Sequence, residues 1–441
     1  MMPKQRRTDL ATVWLWGKRI GAVSIAEGQP YARFEYDLEF IHSGIELSPF
    51  KMPLGSTVYS FPELSFRSFH GLPGLLADSL PDKFGNAVIE AWLSSKGRSI
   101  DSLNAVERLC YQGKRGMGAL EYVPAYGPRA DTSQKIQVDE LVRLANLILA
   151  ARKRVQGNFK TEDLKEKSLL GILRVGSSAG GARAKAVIAW NPATGDVRSG
   201  QLDSPEGFEN WLIKFDGISN NRDKERLSDP AGYGLIEYAY YRMATDCGIK
   251  MNRCRLMKEN GRNHFMTLRF DRQTGGGKIH MQSLAALEHY DFNLRGRYSY
   301  EQAFQTIRKL GLPFEAQTEL FRRMVFNVAA RNQDDHVKNI AFLMDRNGYW
   351  SLAPAYDMTY NYQEGGDWTS SHQMTVNGKQ DNFTRDDLIA CAQNAGITKK
   401  QANGIIQQVV KVVAGWRDYA DQENVNPSKR DKIYKNLRLE F

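Results

Sequence analysis

The chain has 441 residues, with 60 basic and 50 acidic side chains, a net charge of +10 and 42% hydrophobic content. It is too long for one ordinary core and too apolar for a disordered chain, so two or three sub-domains of a soluble globular protein are expected. A charge excess this modest permits an acidic partner or nucleic acid without demanding one.

The four cysteines, Cys110, Cys247, Cys254 and Cys391, are scattered and form no CxxC pair. That excludes a disulfide framework or a cysteine zinc site and fits a reducing compartment. Lys4, Arg6, Arg7, Asp9, Lys18 and Arg19 interrupt the N-terminal apolar residues. No signal peptide or membrane span is expected, and a cytoplasmic location is the reading that follows.

In chain order, TVWLWGKRIGAVSI (12–25) predicts strand, glycine turn, strand. Phe34, Tyr36, Leu38 and Phe40 alternate with acids, which predicts a half-buried strand through residue 40. LLADSLPDKFGNAVIEAWL (75–93) reads as a loop entering a helix, and GKRGMGALEYVP (113–124) as a glycine-rich turn entering a strand. YGPRADTSQ (126–134) has the composition of a linker. Leu141, Leu144, Ala145, Ile148 and Leu149 then recur at helical spacing, and the charged run 152–167 reads as a solvated face or loop. Residues 169–272 are mostly strand-like around one helix within SDPAGYGLIEYAYYRMATDCG (228–248), with a serine or aspartate N-cap, an early proline and Gly248 as its stop. Beyond residue 300 the chain turns helical, and the last 60 residues hold two or three further helices. The expected division is 1–134, 135–272 and 273–441, in an α+β fold.

Phe314, Phe321, Met324, Val325 and Val328 mark a helix that runs into NQDDHVKN (332–339). IAFLM (340–344), DRNG (345–348) and YWSLA (349–353) then read as a hairpin. A hairpin brings its ends together, so Asp357 returns beside Asn339, and Asp334 stands five residues before Asn339. This is the order of parts in protein kinases. An aspartate accepts the acceptor hydroxyl's proton, while an asparagine and a second aspartate supply hard oxygens to magnesium. An isolated DxxxxN is most often a polar turn; the hairpin and the returning aspartate change that balance.

Such a site also needs a phosphate cradle and a positioned lysine. RVGSSAGGARAKAVIAW (174–190) places Gly176, Gly180 and Gly181 between strand-like runs, though without P-loop spacing. Lys214 lies within the apolar NWLIKFD, where it needs an anionic partner unless it snorkels. Glu237, on the following helix, is the natural pair.

These segments together resemble the HipA-type serine/threonine kinases, the toxin halves of bacterial toxin–antitoxin pairs. The resemblance rests on LLADSLPD (75–82), SAGGARAK (178–185), the IKF around Lys214, EYAYYRMATDCG (237–248), RFDR (269–272), DDHVKN (334–339) and AYD (355–357). It implies an ATP- and magnesium-dependent protein kinase with an elaborated N-terminal lobe and a mainly helical C-terminal lobe. Asp334 matches the catalytic base, Asn339 and Asp357 the magnesium ligands, and Lys214 the ATP-phosphate lysine. Ser178, preceded here by Ser177, matches the serine whose autophosphorylation switches such kinases off. Asp271 is read as a contact to the nucleotide region, while Leu268 stands where some relatives carry an acid near the adenine. The resemblance also implies a protein substrate such as an aminoacyl-tRNA synthetase, and a DNA-binding antitoxin partner of the HipB type.

Three other readings compete. A small-molecule phosphotransferase shares the same acids. A DNA-binding protein is prompted by the helix–glycine–helix pattern of 385–413, although an ordinary helical hairpin explains that pattern better. A metal-dependent phosphohydrolase is prompted by Asp335-His336, but seven histidines without HxxxH pairing support it poorly. His336 is expected to brace the loop through hydrogen bonds.

Overall fold

The computed structural model describes residues 8–126, 135–154, 183–201, 206–218, 231–273 and 276–441. The chain mixes helix and sheet, as its patterning predicts. The strands and helices that matter below are, in order, β1 (Leu10–Leu15), β2 (Lys18–Ile25), β3 (Ala32–Tyr36), α1 (Lys83–Ser95), α2 (Ala105–Gln112), β4 (Leu120–Val123) and α3 (Val138–Arg154). Next come β5 (Lys185–Trp190), β6 (Val197–Ser199), β7 (Glu209–Lys214), α4 (Tyr233–Asp246), β8 (Cys254–Glu259) and β9 (Arg262–Leu268). The C-terminal part holds α5 (Tyr300–Lys309), α6 (Phe314–Ala329), β10 (Ala341–Met344), β11 (Trp350–Leu352), α7 (Arg385–Asn394), α8 (Lys399–Ala414), α9 (Trp416–Gln422) and α10 (Pro427–Asn436).

Packing gathers these into two compact units. The first comprises Met1–Leu212, Asp271–Asp291 and Leu343–Tyr349; the second comprises Ile213–Phe270, Phe292–Phe342 and Trp350–Phe441. The described residues between 135 and 212 thus fall in the unit that holds the N-terminal residues, and β7 crosses the division with Lys214 at its end.

In the first unit β3-β2-β1-β4 form one antiparallel sheet. Trp16 and Gly17 both take positive φ, at 50° and 81°, the geometry of a tight hairpin turn between β1 and β2. Val13, Leu15, Ile20, Val23, Phe34 and Tyr122 point inward and are buried. Full burial of each such side chain contributes roughly 1.5–3 kcal/mol. The alternation that predicts strand through residue 40 stops early. The Asp37 carboxylate accepts the Glu39 N–H at 3.1 Å, caps a single helical turn, and leaves Leu38 exposed.

The LLADSLPD stretch acts as a set of anchors in this unit. Asp78 accepts hydrogen bonds from the Ser283 N–H (2.6 Å) and hydroxyl (2.8 Å). The Ser79 hydroxyl accepts from Tyr122 Oη at 2.8 Å. Asp82 caps α1 through the Gly85 N–H at 2.6 Å and pairs with Lys185 at 3.1 Å.

In the second unit α5 to α10 form the helical part. α8 buries Ile405, Ile406, Val409 and Val413 and packs along α6 and α7. Residues 385–413 therefore form a helical hairpin whose apolar face lies in the core. Four helices, rather than two or three, occupy the C-terminal residues. Trp416 is fully buried and donates from Nε1 to the Arg430 carbonyl at 2.9 Å, which fixes the last two. Among the described residues, no helix is long and apolar enough to cross a membrane.

Candidate phosphoryl-transfer site

The second unit brings Lys214, Glu237 and Asp357 together. Lys214 is 6% exposed at the end of β7, where an unpaired ammonium would be costly. Its Nζ contacts Glu237 Oε1, and Asp357 Oδ1 lies 2.5 Å from it. The Phe265 ring centroid is 5.6 Å from the same nitrogen. Glu237 is 1% exposed on α4, so the ion group is anchored on its buried side and opens at Asp357, which is 22% exposed.

The helix that carries Glu237 is placed by a residue the sequence reading passed over. Asp216, two positions after Lys214, is 1% exposed. Its carboxylate accepts the N–H groups of Gly232 (2.9 Å), Tyr233 (3.1 Å) and Asn263 (3.3 Å). Capping therefore comes from across the fold, and the residue at the N-cap position is Gly232, with φ +93°. Ser228, Asp229 and Pro230, expected to start the helix, lie outside the described residues; Gly248, with φ +81°, ends it as expected. Gly234 has a packing reason: a Cβ there would stand 2.0 Å from the Asn263 carbonyl oxygen on β9.

Backbone hydrogen bonds close the NQDDHVKN stretch into a turn. The His336 N–H donates to the Asp334 carbonyl at 2.9 Å, and the Asn339 N–H to the His336 carbonyl at 2.8 Å. The His336 main chain thus braces the turn, and its ring Nε2 lies 3.8 Å from Asp334 Oδ1. Asn339 Nδ2 donates to the Asp334 carbonyl at 2.8 Å, which leaves its Oδ1 without a donor among the described residues. The β10–β11 hairpin returns the chain, with the Ala353 N–H donating to the Ala341 carbonyl at 2.9 Å. Asp357 then takes φ +54°, a left-handed conformation uncommon for a residue other than glycine. Asn332 Nδ2 reaches its carbonyl at 3.3 Å, tying the hairpin's far end to the loop's beginning.

Asp334 and Asp335 are neighbours with different environments. Asp335 is 4% exposed and accepts from Tyr300 Oη (2.9 Å), His372 Nδ1 (2.8 Å) and the Gln373 N–H (2.8 Å). It holds the loop. Asp334 is 30% exposed and accepts at Oδ1 from Trp368 Nε1 at 2.6 Å, while Oδ2 has no partner among the described residues. Trp368 is the second functional candidate missed from sequence. It sits in the irregular stretch GGDWTSS, where no periodicity or spacing ties it to residue 334.

Gly176, Gly180 and Gly181 of the predicted cradle, with Ser177 and Ser178, lie outside the described residues. Asp271 has a different place from the one expected. It is fully buried in the first unit, where Oδ2 accepts the Gly118 N–H at 2.7 Å and pairs with Arg272 Nη1 at 2.8 Å. Arg272 also donates to the carbonyls of Gly116 (3.1 Å) and Gly118 (3.0 Å). A carboxylate engaged in this way staples the 113–118 turn.

Among the described residues no group of three or more His, Cys, Asp or Glu side chains is arranged to hold a metal. Magnesium does not require one, since it keeps most of its waters and takes one or two hard protein oxygens. The unpartnered Asn339 Oδ1 and the partly exposed Asp357 carboxylate are of that chemical type.

The HipA-like C-terminal domain model matches residues 177–416, and the HipA N-terminal domain model matches residues 11–123. A putative kinase of Haemophilus influenzae is 24% identical over 245 residues, 47% of this chain and 69% of that protein. The putative kinase Y4dM of Sinorhizobium fredii is 29% identical over 171 residues, 37% of this chain and 40% of that protein. Among solved structures, the fold is similar to that in the Shewanella oneidensis MR-1 complex of HipA, HipB and operator DNA. The TM-score is 0.64 at 16% identity, covering 96% of this chain and 94% of that one. With the C-terminal domain model alone spanning more than half of its residues, the chain belongs to the HipA family.

Proposed function

We propose that the second unit is the catalytic centre of an ATP- and magnesium-dependent serine/threonine protein kinase of HipA type. The observation that carries this reading is Lys214 held between Glu237 and Asp357, in the same unit as a carboxylate, Asp334, whose Oδ2 has no partner among the described residues. Lys214 binds nucleotide phosphate and Glu237 keeps it in place. Asp334 accepts the proton of the acceptor hydroxyl at Oδ2. Asn339 Oδ1 and Asp357 would hold magnesium, which when bound would supply charge neutralisation to the nucleotide phosphates.

The acceptor is a protein hydroxyl, and an aminoacyl-tRNA synthetase is the candidate the family offers. The chain acts as a toxin, with a DNA-binding antitoxin of the HipB type as its partner and DNA contact through that complex. Phosphorylation of Ser178 or Ser177 switches it off, because nearly two added negative charges oppose phosphate binding in the same glycine-rich segment.

The test is intact-mass analysis of wild type and Asp334→Asn after incubation with ATP and magnesium. The wild type is expected to gain one phosphate at Ser177 or Ser178, and the folded variant none. Near-wild-type transfer by Asp334→Asn removes the base assignment, and phosphate mapped wholly elsewhere removes the serine assignment.

A further inference from the structure

The 367–373 segment meets the catalytic loop on both sides of Asp334. Upstream, Gln373 Nε2 donates to the Gln333 carbonyl at 3.1 Å; downstream, the Gln373 N–H donates to Asp335 Oδ1 at 2.8 Å. The same Nε2 donates to the Trp368 carbonyl at 2.5 Å, so one amide group fastens the tryptophan's main chain to the residue before the base. Asp335 is fixed in turn by His372 and Tyr300, and Tyr300 Oη accepts from Asn327 Nδ2 at 3.0 Å on α6. His372 and Tyr300 are no more than 1% exposed, so the support is a buried, hydrogen-bonded frame.

From this frame the Trp368 indole reaches Asp334. A free carboxylate rotates about its terminal torsion, which has broad, nearly two-fold preferences. A 2.6 Å bond from an indole N–H to Oδ1 removes that freedom and fixes the direction of Oδ2. Indole is a donor only and does not titrate, so it orients the carboxylate without competing for the proton.

We propose that Trp368 is a positioning residue for the base: it clamps Oδ1 of Asp334 and so presents Oδ2 to the acceptor hydroxyl. This rests on the kinase reading above. Proton balance is simple. The hydroxyl proton passes to Oδ2 as the acceptor oxygen bonds the γ-phosphorus and the bond to the leaving ADP oxygen breaks. Oδ1 keeps its bond to the indole throughout. The half-buried ring is at the same time a wall beside the base.

The test compares Trp368→Phe, which keeps a ring and loses the N–H, with Trp368→Ala, which loses both. Trp368→Phe is expected to lower kcat on the order of 10–100-fold, as misorientation of a reacting group does. KM for ATP should stay within about twofold, because the Lys214 ion group is untouched. A Trp368→Phe protein with wild-type kcat overturns the proposal and leaves the ring as a wall only. The second readout needs no turnover. With indole nitrogen-15 labelling, the resonance missing from Trp368→Phe is expected to shift in Asp334→Asn, and an unmoved resonance overturns the clamp. A wild type that transfers no phosphoryl group removes the kinase reading, and the clamp is then judged by the resonance alone.

Discussion

Each unit contains a buried lysine paired with carboxylate, and the two pairs differ in what surrounds them. In the first unit Lys185 meets Asp82 at 3.1 Å with both side chains 2% exposed. In the second, Lys214 lies between two carboxylates, and one of them, Asp357, is 22% exposed. A closed pair satisfies charge and fixes geometry; a lysine with one carboxylate at the surface can exchange that partner for phosphate and cation. Removing one partner of a closed pair strands a charge, whereas a ligand can rebuild an open group.

The comparison is broken most directly by substituting each lysine in turn. Lys214→Met is expected to lower phosphoryl transfer on the order of 10²–10³-fold, as loss of a charge-stabilising donor does. Lys185→Met is expected to cost about 3–5 kcal/mol of stability, measured as a lower urea midpoint, because the buried Asp82 carboxylate loses its ammonium counter-charge. The contrast collapses if Lys185→Met keeps the wild-type midpoint or if Lys214→Met keeps wild-type transfer.

A smaller effect sharpens how the open group is held. Gly234→Ala forces a methyl against the Asn263 carbonyl and is expected to cost up to about 3 kcal/mol. Asp216→Ala uncaps the same helix, at about 1–2 kcal/mol. Both displace Glu237, so both should weaken ATP binding as well as lowering Tm. A fall in Tm with unchanged KM for ATP would show that the lysine does not depend on α4.

What was legible in the sequence follows from range. The strands of the first sheet, the hairpin after NQDDHVKN and the helices around Leu141–Leu149 and Phe314–Val328 are written in local periodicity. The Lys214–Glu237 pair was readable because a lysine inside an apolar strand demands an anion and a glutamate stands on the next helix. Asp216 was not readable, since a capping residue is usually sought just before its helix and this one lies 16 positions earlier. Trp368 contacts Asp334 from 34 positions away through an irregular loop, where no period exists to count. Asp271 shows another long-range contact: the acid of RFDR stabilises the 113–118 turn, whose Gly118 lies 153 positions earlier in the chain.

The smallest predicted effect concerns pH and belongs to the first unit. Burial pushes the imidazoles of His280 and His289 down to about 4, with Lys51 adding to the shift at His289. His289 Nε2 accepts the Gly74 N–H at 3.0 Å, which only the unprotonated nitrogen can do. In the unfolded chain these rings titrate near 6.5. Between about 6.5 and 4 the unfolded chain binds protons that the folded one refuses, so stability is full above that window and falls as pH drops through it. At pH 5 the loss is about 2 kcal/mol per ring. His289→Gln, which carries no titrating group, should therefore narrow the gap between urea midpoints at pH 7 and pH 5 by the equivalent of about 1–2 kcal/mol. An unchanged gap would show that His289 does not refuse the proton in the folded state. The second unit's Lys214 group should then be compared with Lys185 at pH 7 alone.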